Sequence, residues 1–540
     1  NGLPVVEAGE LKGIITMQEV NRAKQHGLGK ELVSKYMSDQ LVTVKLDTTL
    51  TEIHELMINY DIGRILVTSQ ENKMVGIITR TDLIRNLYGE GHVPKKSFST
   101  YVENNSNIER KKQIELIENI LPKRVKDVLS KIGEIGDRLD FSVFMVGGIV
   151  RDLFLGIKNY DLDIVVEGDG IKFAQELSRD LGGRIKSHEK FGTAIVILDD
   201  GFKIDVATAR REFYEYPAAL PKVELSSIKK DLYRRDFTIN AMAIQLNQKY
   251  FGKLIDFFGG QKDLRMGIIR VLYNLSFVED PARIIRAIRF EQRYSFKMNK
   301  ATENFLKKAI DDKLLSRLRK KRITEELILI LKEENPLNSL KRMEGLGALM
   351  YILPEIVLNE ETVKRLNKVK DNYNSWIHDI PDEKVELWII YFCCLIRNLK
   401  KIQIQRICKK LIIKQKYVDI INSCYLNIDK IIKIISQKTI ISPSVIYSEL
   451  QGLPNEVLFL TMTESDTNIA KDRINNYFRK YKKENLYISG NELKELQLKP
   501  GPIYSQILNK LLCAQLDEEV KNKRDGIRFV KNILKERNKV

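Results

Sequence analysis

The pattern of apolar and polar positions changes twice along the chain. Near the N-terminus, short apolar stretches at 64–69 and 74–79 flank a polar turn, which is typical of paired strands followed by a helix. From about 123 to 265, predicted strands and helices alternate and glycine pairs punctuate them. Beyond about 266, apolar residues recur every three or four positions, which indicates helices almost throughout. The pattern therefore predicts α/β regions followed by an all-α region.

An internal repeat and a polar stretch subdivide the N-terminal part. The string KGIIT at 12–16 resembles VGIIT at 75–79. Residues 37–88 are therefore interpreted as one whole repeat and 1–30 as the last part of an earlier one. A polar stretch rich in Asn and Ser follows, and it predicts a linker over 96–122.

Length and composition limit the class of protein. At 540 residues the chain is too long for one hydrophobic core, and 43% hydrophobic with 30% charged residues is typical of a folded globular protein. Its longest notable apolar run, 387–396, is far shorter than the ~20 residues that span a bilayer, and no signal-peptide pattern opens the chain. Five cysteines without C-x-x-C spacing predict neither a zinc site nor disulfides. We expect a protein of the reducing cytoplasm with no membrane association.

The net charge points to a class of partner. The formal charge is +18, and basic residues concentrate in 313–322 and 400–416. A basic surface attracts a polyanion through counterion release, and nucleic acid is the commonest polyanion. The alternative is a generally lysine-rich composition, with an ordinary solvated helix face at each cluster. Charge alone therefore indicates a nucleic-acid partner without establishing one.

Glycines, an arginine and two acids follow one another closely. Gly147 and Gly148 permit a tight turn, and a helix that begins there would point its free N–H groups at an anion such as a triphosphate. Arg151 can add charge-assisted hydrogen bonds. Asp161 and Asp163 share one face of a predicted strand and would repel each other unless a cation lay between them. Magnesium prefers such ligands, whereas an isolated D-x-D is usually a solvated strand edge.

A third acid and an arginine pair follow. Asp205, on a predicted strand, could complete a metal site from a neighbouring strand or make only local hydrogen bonds. Arg234 and Arg235 together offer about ten N–H donors, which suits a triphosphate. Asp236 and Asn240 are four apart, so on a helix they would share a face and could hold the arginines or a sugar. The alternative is a structural ion-pair cluster.

A later segment combines donors and acceptors that match a nucleobase. Asp280, Arg283 and Arg286 are spaced by three and are predicted to lie along one helical face. An arginine only donates and an aspartate only accepts, so the pair is complementary to a ring acceptor beside an exocyclic amine, as in adenine and cytosine. Arg289 is also included among the nucleotide-binding candidates. The alternative is a salt bridge on an exposed helix.

These motifs, in this order, resemble those of class II tRNA nucleotidyltransferases and bacterial poly(A) polymerases. The strings are GGIVRDLFLG, DLD, RRDFTINAMA, IDFFGG and EDPARIIRAIRF, and ISGNEL with LKPGP near the C-terminus resembles the family's tail. The resemblance implies a polymerase-β-like α/β catalytic head over 123–265 and a helical neck with the base-selecting helix over 266–335. It implies a helical, tRNA-binding body and tail over 336–540.

The resemblance also implies an activity. It is the template-independent transfer of AMP, and of CMP, from ATP and CTP to the 3′ end of tRNA, with release of pyrophosphate, in CCA-end synthesis or repair. Two Mg²⁺ ions would be held at Asp161 and Asp163, and Asp280 with Arg283 would select the base. About 71 residues separate the second of these aspartates from the arginine pair, which leaves room for a loop that CC-adding enzymes tend to lack. The loop sequence 211–223 is more like A-adding relatives, so A addition, complete CCA addition and poly(A) tailing all stay open.

The N-terminal segment, 1–95, resembles a CBS module with an incomplete first repeat. Thr79 and Asp82 match the positions that hold the phosphate and ribose of an adenine nucleotide in that family, and Thr16 and Glu19 take their places in the first repeat. The resemblance implies an adenine-nucleotide ligand and, because CBS pairs often associate, a homodimer. Some bacterial transferases carry paired CBS domains after a phosphoesterase-like domain. The incomplete repeat and a first residue that is not Met therefore predict a fragment of such a protein.

Two hypotheses without catalysis remain. In one, the CBS module senses adenine nucleotides and the head is inert, but the retained Asp161 and Asp163 argue against it. In the other, the chain is an RNA-binding protein, which accounts for the charge and leaves the aspartates unexplained.

Overall fold

The structure is a computed structural model of the protein. It describes residues 2–39, 41–59, 64–79, 82, 97–213, 222–465, 467–496, 498 and 501–537. The chain forms two compact units, 1–319 and 320–540. The first is mixed α/β and the second is helical, which confirms the predicted fold class. Within the described residues, no helix is both long and apolar enough to cross a membrane.

The N-terminal part of the first unit contains the predicted repeat. Its elements are β1 (Gly2–Glu7), β2 (Glu10–Thr16), α1 (Met17–Gln25), β3 (Thr43–Lys45), α2 (Leu50–Asn59), β4 (Arg64–Thr68) and β5 (Met74–Thr79). Thr16 and Glu19 cap the start of α1 reciprocally, side chain to backbone N–H in each direction. Thr79 and Asp82 exchange the same two hydrogen bonds after β5. The two pairs therefore occupy equivalent positions of the repeat.

A seven-stranded sheet organises the head. Its strands are β6 (Ser142–Val146), β7 (Leu162–Glu167), β8 (Arg184–His188), β9 (Thr193–Ile197), β10 (Lys203–Thr208), β13 (Ala243–Gln245) and β14 (Leu254–Ile255). Their order is β14-β13-β6-β7-β10-β9-β8. Only the central pair, β7 and β10, is parallel among these neighbours. The sheet thus brings two strands that are distant in sequence side by side at its centre.

Helices and short strands complete the first unit. They are α3 (Ser97–Ile120), α4 (Lys123–Leu139), α5 (Gly148–Phe154), α6 (Gly170–Leu181), α7 (Ile228–Tyr233), α8 (Gly260–Met266), α9 (Ser276–Glu279), α10 (Ala282–Arg293), α11 (Lys300–Asp311), β11 (Arg210–Phe213), β12 (Lys222–Leu225), β15 (Ile268–Ile269) and β16 (Lys297–Met298). Leu129 and Ile132 of α4 and Phe173 of α6 are fully buried, which indicates a core between these helices and the sheet.

The segment predicted as a linker is mainly helical. Helix α3 covers most of 96–122, and Ile117 near its end is fully buried. Arg110 Nε donates a hydrogen bond to the carbonyl oxygen of Phe251, 2.7 Å away. The polar composition that predicts a linker is compatible with a helix, because one buried apolar face is enough to dock it.

The second unit is built from helices. They are α12 (Lys320–Leu331), α13 (Pro336–Gly345), α14 (Leu349–Ile352), α15 (Glu360–Asp379), α16 (Leu387–Ile396), α17 (Lys401–Lys410), α18 (Gln415–Ile435), α19 (Pro443–Leu450), α20 (Asn455–Glu464), α21 (Asn468–Arg479), α22 (Gly490–Glu495), α23 (Pro502–Leu516) and α24 (Lys523–Arg537). Helix α16 is buried from Trp388 to Ile396, which explains the apolar run in the sequence. The boundary between the units falls inside the predicted neck, so α8–α11 belong to the first unit.

Candidate active site

Three carboxylates meet at the central strands of the head sheet. Asp163 on β7 and Asp205 on β10 are direct partners in the parallel register, and Asp161 immediately precedes β7. Alternation along β10 buries Ile204 and Val206 and leaves Asp205 on the opposite, open face. Asp163 and Asp205 line one cavity of about 420 Å³. The structure thus brings together the three acids that the sequence proposes.

The cavity makes negative charge unfavourable at Asp163 and Asp205. Removal of water around Asp163 raises its pKa to about 6 although its surface remains open to the cavity, with Arg235 opposing the rise and the charges of Asp205 and Asp161 adding to it. The pKa of Asp205 is also raised, first by burial and then by Asp161. The positive charge of Arg235 therefore offsets only part of the cost of ionising Asp163.

This donor set fits a divalent cation. All three donors are carboxylate oxygens, which are the ligands that Mg²⁺ prefers. Across the described residues, no group of three His, Cys, Asp or Glu side chains forms a ready-made metal cage. Magnesium commonly uses one or two carboxylates and takes its other ligands from water and substrate phosphates, so the arrangement suits that ion.

The glycine pair packs against the same cavity. Helix α5 begins at Gly148, as predicted, and Gly147 has a positive φ of 76°. A Cβ atom on Gly147 would lie 2.8 Å from Nη1 of Arg235 and 3.7 Å from Oδ2 of Asp163. Gly147 is therefore required both by its backbone conformation and by the close approach of two candidate site residues.

The arginine pair is held by an acid that the sequence analysis did not single out. The buried carboxylate of Asp231 accepts from Nε and Nη2 of Arg234 at 2.9 and 2.7 Å and from Nη2 of Arg235 at 3.2 Å. Burial alone would raise the pKa of Asp231, but the two arginines lower it. Both arginines line the cavity that contains Asp163 and Asp205. Asp231 thus fixes two cationic side chains beside the acids.

Asp236 and Asn240 join the head to the next long helix. Asp236 Oδ2 accepts from Nε and Nη2 of Arg286 at 2.8 and 2.6 Å, and its Oδ1 accepts from Nδ2 of Asn240 at 2.9 Å. Burial would raise the pKa of Asp236, but these partners, Arg286 foremost, lower it to about 2. The predicted proximity of Asp236 and Asn240 is present, but Asp236 binds Arg286 and leaves Arg234 and Arg235 to Asp231.

Arg151 does not have the geometry expected of a phosphate ligand. It is buried, and each of its three nitrogens donates to a protein oxygen: Nε and Nη2 to Asp152, and Nη1 to Asn240 at 2.6 Å. Its guanidinium also lies 5.2 Å from the ring centre of Phe290 and 4.9 Å from that of Tyr294. The structure thus places the Arg151 side chain among groups of the protein between α5 and α10.

The base-selecting candidates are arranged differently from the prediction. Asp280 is extended and precedes α10, and its Oδ1 accepts from the backbone N–H of Ala282, so it does not share a helical face with Arg283 and Arg286. Pro281 is the N-cap and α10 begins at Ala282, so Asp280 stands outside the helix that the regular spacing suggested. Arg289 is buried, with its guanidinium 4.7 Å from the ring centre of Phe290.

Arg283 is fixed by a hydrogen-bond network. Its Nη1 donates to the hydroxyls of Tyr273 and Ser276 at 2.8 and 2.7 Å, and its Nη2 donates to the carbonyl oxygen of Arg234 at 2.6 Å. The last bond ties the base-selecting candidate to the arginine pair. Tyr273 carried no recognisable sequence signal, whereas Asp231 could have been found, because it stands three and four positions before two arginines.

Two further predicted features lie elsewhere. Thr79 Oγ1 donates to Oδ2 of Asp82 at 2.6 Å in the N-terminal module, so the proposed nucleotide pair of that module is assembled. The loop over 211–223, whose sequence was predicted to be more like A-adding relatives, begins and ends in the antiparallel strands β11 and β12. Its central residues, 214–221, lie outside the described residues.

Three family models match the chain. "Poly A polymerase head domain" matches residues 143–270, "CBS domain" matches 33–89, and "Probable RNA and SrmB- binding site of polymerase A" matches 295–358. The first contains the acids and the arginine pair, and the second ends beyond the Thr79–Asp82 pair.

Curated relatives cover most of the chain. It is 38% identical to the A-adding tRNA nucleotidyltransferase of Geobacter sulfurreducens over 98% of this chain, which spans 60% of that relative's length. It is 30% identical to the A-adding tRNA nucleotidyltransferase of Halalkalibacterium halodurans over 78% of this chain and 95% of that relative.

Solved structures share the fold. The Thermotoga maritima CCA-adding enzyme complexed with tRNA-CCA is 33% identical, covers 78% of this chain and 98% of its own, and superposes with a TM-score of 0.57. A complex of a CCA-adding enzyme with ATP is 34% identical, with coverage of 78% and 96% and a TM-score of 0.57.

Proposed function

This chain belongs to the family of tRNA nucleotidyltransferases and bacterial poly(A) polymerases, and from that premise we propose that it transfers AMP from ATP to the 3′ end of tRNA, with release of pyrophosphate. The observation that carries the proposal is the single cavity that Asp163, Asp205, Arg234 and Arg235 line together. Acids that need a cation and arginines that suit a polyphosphate are the two groups that nucleotidyl transfer requires side by side.

Each side chain then has a defined role. Asp161 and Asp163 would hold Mg²⁺, and Asp205 would add a carboxylate from the adjacent strand. Bound Mg²⁺ would favour ionisation of the attacking 3′-hydroxyl and stabilise charge on the leaving pyrophosphate. Arg234 and Arg235, fixed by Asp231, would orient the triphosphate for attack by the tRNA end.

Base choice rests on Arg283 and Asp280. Arg283 is held by Tyr273, Ser276 and the backbone of Arg234, which fixes the direction of its donors before a nucleotide arrives. An arginine donor beside an aspartate acceptor matches the adenine edge and also that of cytosine. Similarity to two A-adding enzymes supports AMP. CMP transfer is the alternative, because the structural neighbours are CCA-adding enzymes.

The other partners follow from the rest of the chain. The exposed basic residues of α17 and the +18 net charge support binding of the tRNA backbone by the second unit. The match of Thr79 and Asp82 to the nucleotide-holding positions of CBS modules supports an adenine nucleotide in the N-terminal module. Association of that module into a homodimer stays a prediction.

Three tRNA transcripts test the proposal. They end at the discriminator base, at that base plus C, and at that base plus CC, and each is incubated with Mg²⁺ and labelled ATP, CTP or both. We expect one A on the CC-ended transcript alone. Ordered C and A on the shortest transcript would make the protein a CCA-adding enzyme, and long runs of A would make it a poly(A) polymerase. No incorporation with any transcript would overturn the proposal.

A further inference from the structure

Helix α1 of the N-terminal module contacts the region around Arg283. The guanidinium of Arg22 lies 4.0 Å from the ring centre of Tyr273 and 5.0 Å from that of Tyr233. Cation–π contacts of this kind are strongest where water is displaced, and the Arg22 side chain is only 17% exposed. A residue of the CBS-like module thus packs directly on the tyrosine whose hydroxyl holds Arg283.

Glu279 joins the two sides of this contact. Its Oε1 is 3.4 Å from Nε of Arg22 and 3.6 Å from Nε2 of His26, and its Oε2 accepts from the hydroxyl of Tyr273 at 2.5 Å. The side chains of Glu279 and His26 are 6% and 1% exposed. A continuous path therefore runs from α1 through Glu279 and Tyr273 to Arg283.

The electrostatics agree with that path. Burial by itself would raise the pKa of Glu279, but the contact from His26 and the charges of Arg22 and Arg283 lower it overall. Glu279 is therefore ionised, and an ionised carboxylate can accept the hydrogen bond that the Tyr273 hydroxyl donates. Without the α1 side chains, a buried carboxylate would retain fewer compensating partners, and its bond to Tyr273 would change.

A second contact holds the module in the same place. Nδ2 of Asn274, next to Tyr273, donates to the carbonyl oxygen of Tyr36 at 2.6 Å. The ring of Tyr36 in turn lies 5.8 Å from Nζ of Lys308. The module therefore contacts the segment around Tyr273 at two places, through α1 and through Tyr36.

We propose that Arg22 is a positioning residue for base selection: through Glu279 and Tyr273 it sets the orientation of Arg283, with His26 as a second support for Glu279. The N-terminal module then belongs to the machinery that selects the incoming nucleotide. This inference rests on the proposed function, because it assigns Arg283 to the base of an incoming nucleotide.

The alternative is that α1 only anchors the module to the head. An anchoring role predicts that loss of Arg22 lowers the unfolding temperature and leaves nucleotide choice as it was. A positioning role predicts a change in KM for ATP and in the preference for ATP over CTP. The two readouts are independent, so one set of variants distinguishes the roles.

The test compares Arg22→Ala, Arg22→Lys and Lys24→Ala in the 540-residue chain. Lys24 is exposed on the same helix, so its variant removes the same charge without touching the head. For each variant, KM and kcat for ATP and the ATP-to-CTP incorporation ratio are measured on CC-ended tRNA, together with thermal unfolding. Glu279→Gln alone and with Arg22→Ala completes a double-mutant cycle.

We expect Arg22→Ala to raise KM for ATP about tenfold and to lower the ATP-to-CTP ratio by a similar factor, with a smaller change in kcat. Arg22→Lys should recover part of the loss, because it keeps the charge but not the planar stacking. Lys24→Ala should match the wild type, and Arg22→Ala should add little to Glu279→Gln.

Two outcomes would overturn the inference. One is an unchanged KM and nucleotide ratio in Arg22→Ala, even if its unfolding temperature falls. The other is full additivity with Glu279→Gln, since independent effects would exclude a path through that carboxylate. If the wild type incorporated no nucleotide, the proposed function itself would be wrong. That outcome is distinguishable from failure of the inference about Arg22, because it is seen in the wild type without any variant.

Discussion

Asp205 lies directly beside Asp163 in the parallel register of the two central strands, so two carboxylates from separate segments face one cavity. Their mutual repulsion adds to the cost of removing water from Asp163. The carboxylates that attract a cation repel one another when the cation is absent, so a cation site commonly destabilises the protein until the ion binds.

The first prediction concerns stability without metal. The folded-state pKa of Asp163 is raised from 3.8 to about 6. The stability associated with protonated Asp163 is therefore fully present below the pKa of this group in the unfolded chain. It is lost as pH rises through about 6, because Asp163 must then ionise in the folded state. In metal-free buffer, Asp163→Asn should unfold at a higher temperature than the wild type at about pH 7.5, and the difference should shrink towards pH 4. Equal differences at both pH values would contradict this account.

Magnesium should reverse that order. A ligand that binds only the folded state stabilises it, so Mg²⁺ should raise the unfolding temperature of the wild type more than that of Asp163→Asn. Thermal unfolding with and without Mg²⁺ measures the effect. The same measurement with Ca²⁺ shows how a second cation that binds oxygen ligands affects the two proteins. An equal rise in the unfolding temperature of both proteins with Mg²⁺ would count against a metal site at Asp163.

The second prediction compares two glycines of the same motif. Gly147 and Gly156 both have positive φ, at 76° and 69°, so an alanine at either position strains the backbone, and the ψ of −130° at Gly147 adds to the strain there. Only at Gly147 would the new Cβ press on Arg235, whereas the space around Gly156 is open. Gly147→Ala should reduce kcat/KM for ATP at least about tenfold beyond Gly156→Ala. Steady-state kinetics and thermal unfolding of both variants test this, and equal activities would contradict it.

The third prediction concerns Asp231. Its removal leaves Arg234 and Arg235 without their shared acceptor, so Asp231→Ala should destabilise the protein by about 3–5 kcal/mol and weaken ATP binding. Asp180→Ala is the control, because it breaks surface pairs with Arg138 and Lys131, which contribute little to stability in solvent. Chemical denaturation and ATP titration give the two quantities. A loss no larger than that of the control would contradict a clamping role.

The sequence predicted the acids better than it predicted the base-selecting segment. Alternation in strands fixes which side chains share a face, so Asp161 and Asp163 could be grouped from spacing alone, whereas the place of Asp205 beside them depends on the pairing of β7 with β10. The helical spacing of Asp280 with Arg283 was wrong for Asp280, because the following proline allows the chain to stay extended there.

Contacts between distant segments were out of reach of local patterns. Arg151 was interpreted from its place after the glycine pair, yet besides the adjacent Asp152 its partners include Asn240 and the Phe290 ring, which only the fold brings near. The same holds for Arg22 and Glu279, which are far apart in sequence. Such pairs produce no periodic pattern or motif in the sequence, because they form only when whole helices and strands pack together.

The fourth prediction concerns tRNA binding. Arg406 and Lys409 are exposed on α17. If such a side chain neutralises one phosphate of the tRNA, its replacement by alanine should reduce the slope of log affinity against log salt concentration by about 0.7–0.9. The double variant to alanine should therefore bind tRNA more weakly and with a shallower salt dependence. Lys24→Ala with Lys30→Ala removes the same charge from exposed positions of the N-terminal module. Filter binding at several salt concentrations measures the tRNA affinity of both double variants. Equal losses of affinity would show that net charge alone matters and would contradict a tRNA contact at α17.

The most direct test of the central claim is a single-turnover reaction with α-labelled ATP, Mg²⁺ and tRNA that ends in CC. We predict that the wild type adds one labelled nucleotide and that Asp163→Asn does so roughly a thousandfold more slowly, because the metal contributes several kcal/mol to the transition state. Binding of tRNA should be the same for both proteins. Absence of any labelled product with the wild type, or equal rates for the two proteins, would contradict nucleotidyl transfer at this cavity.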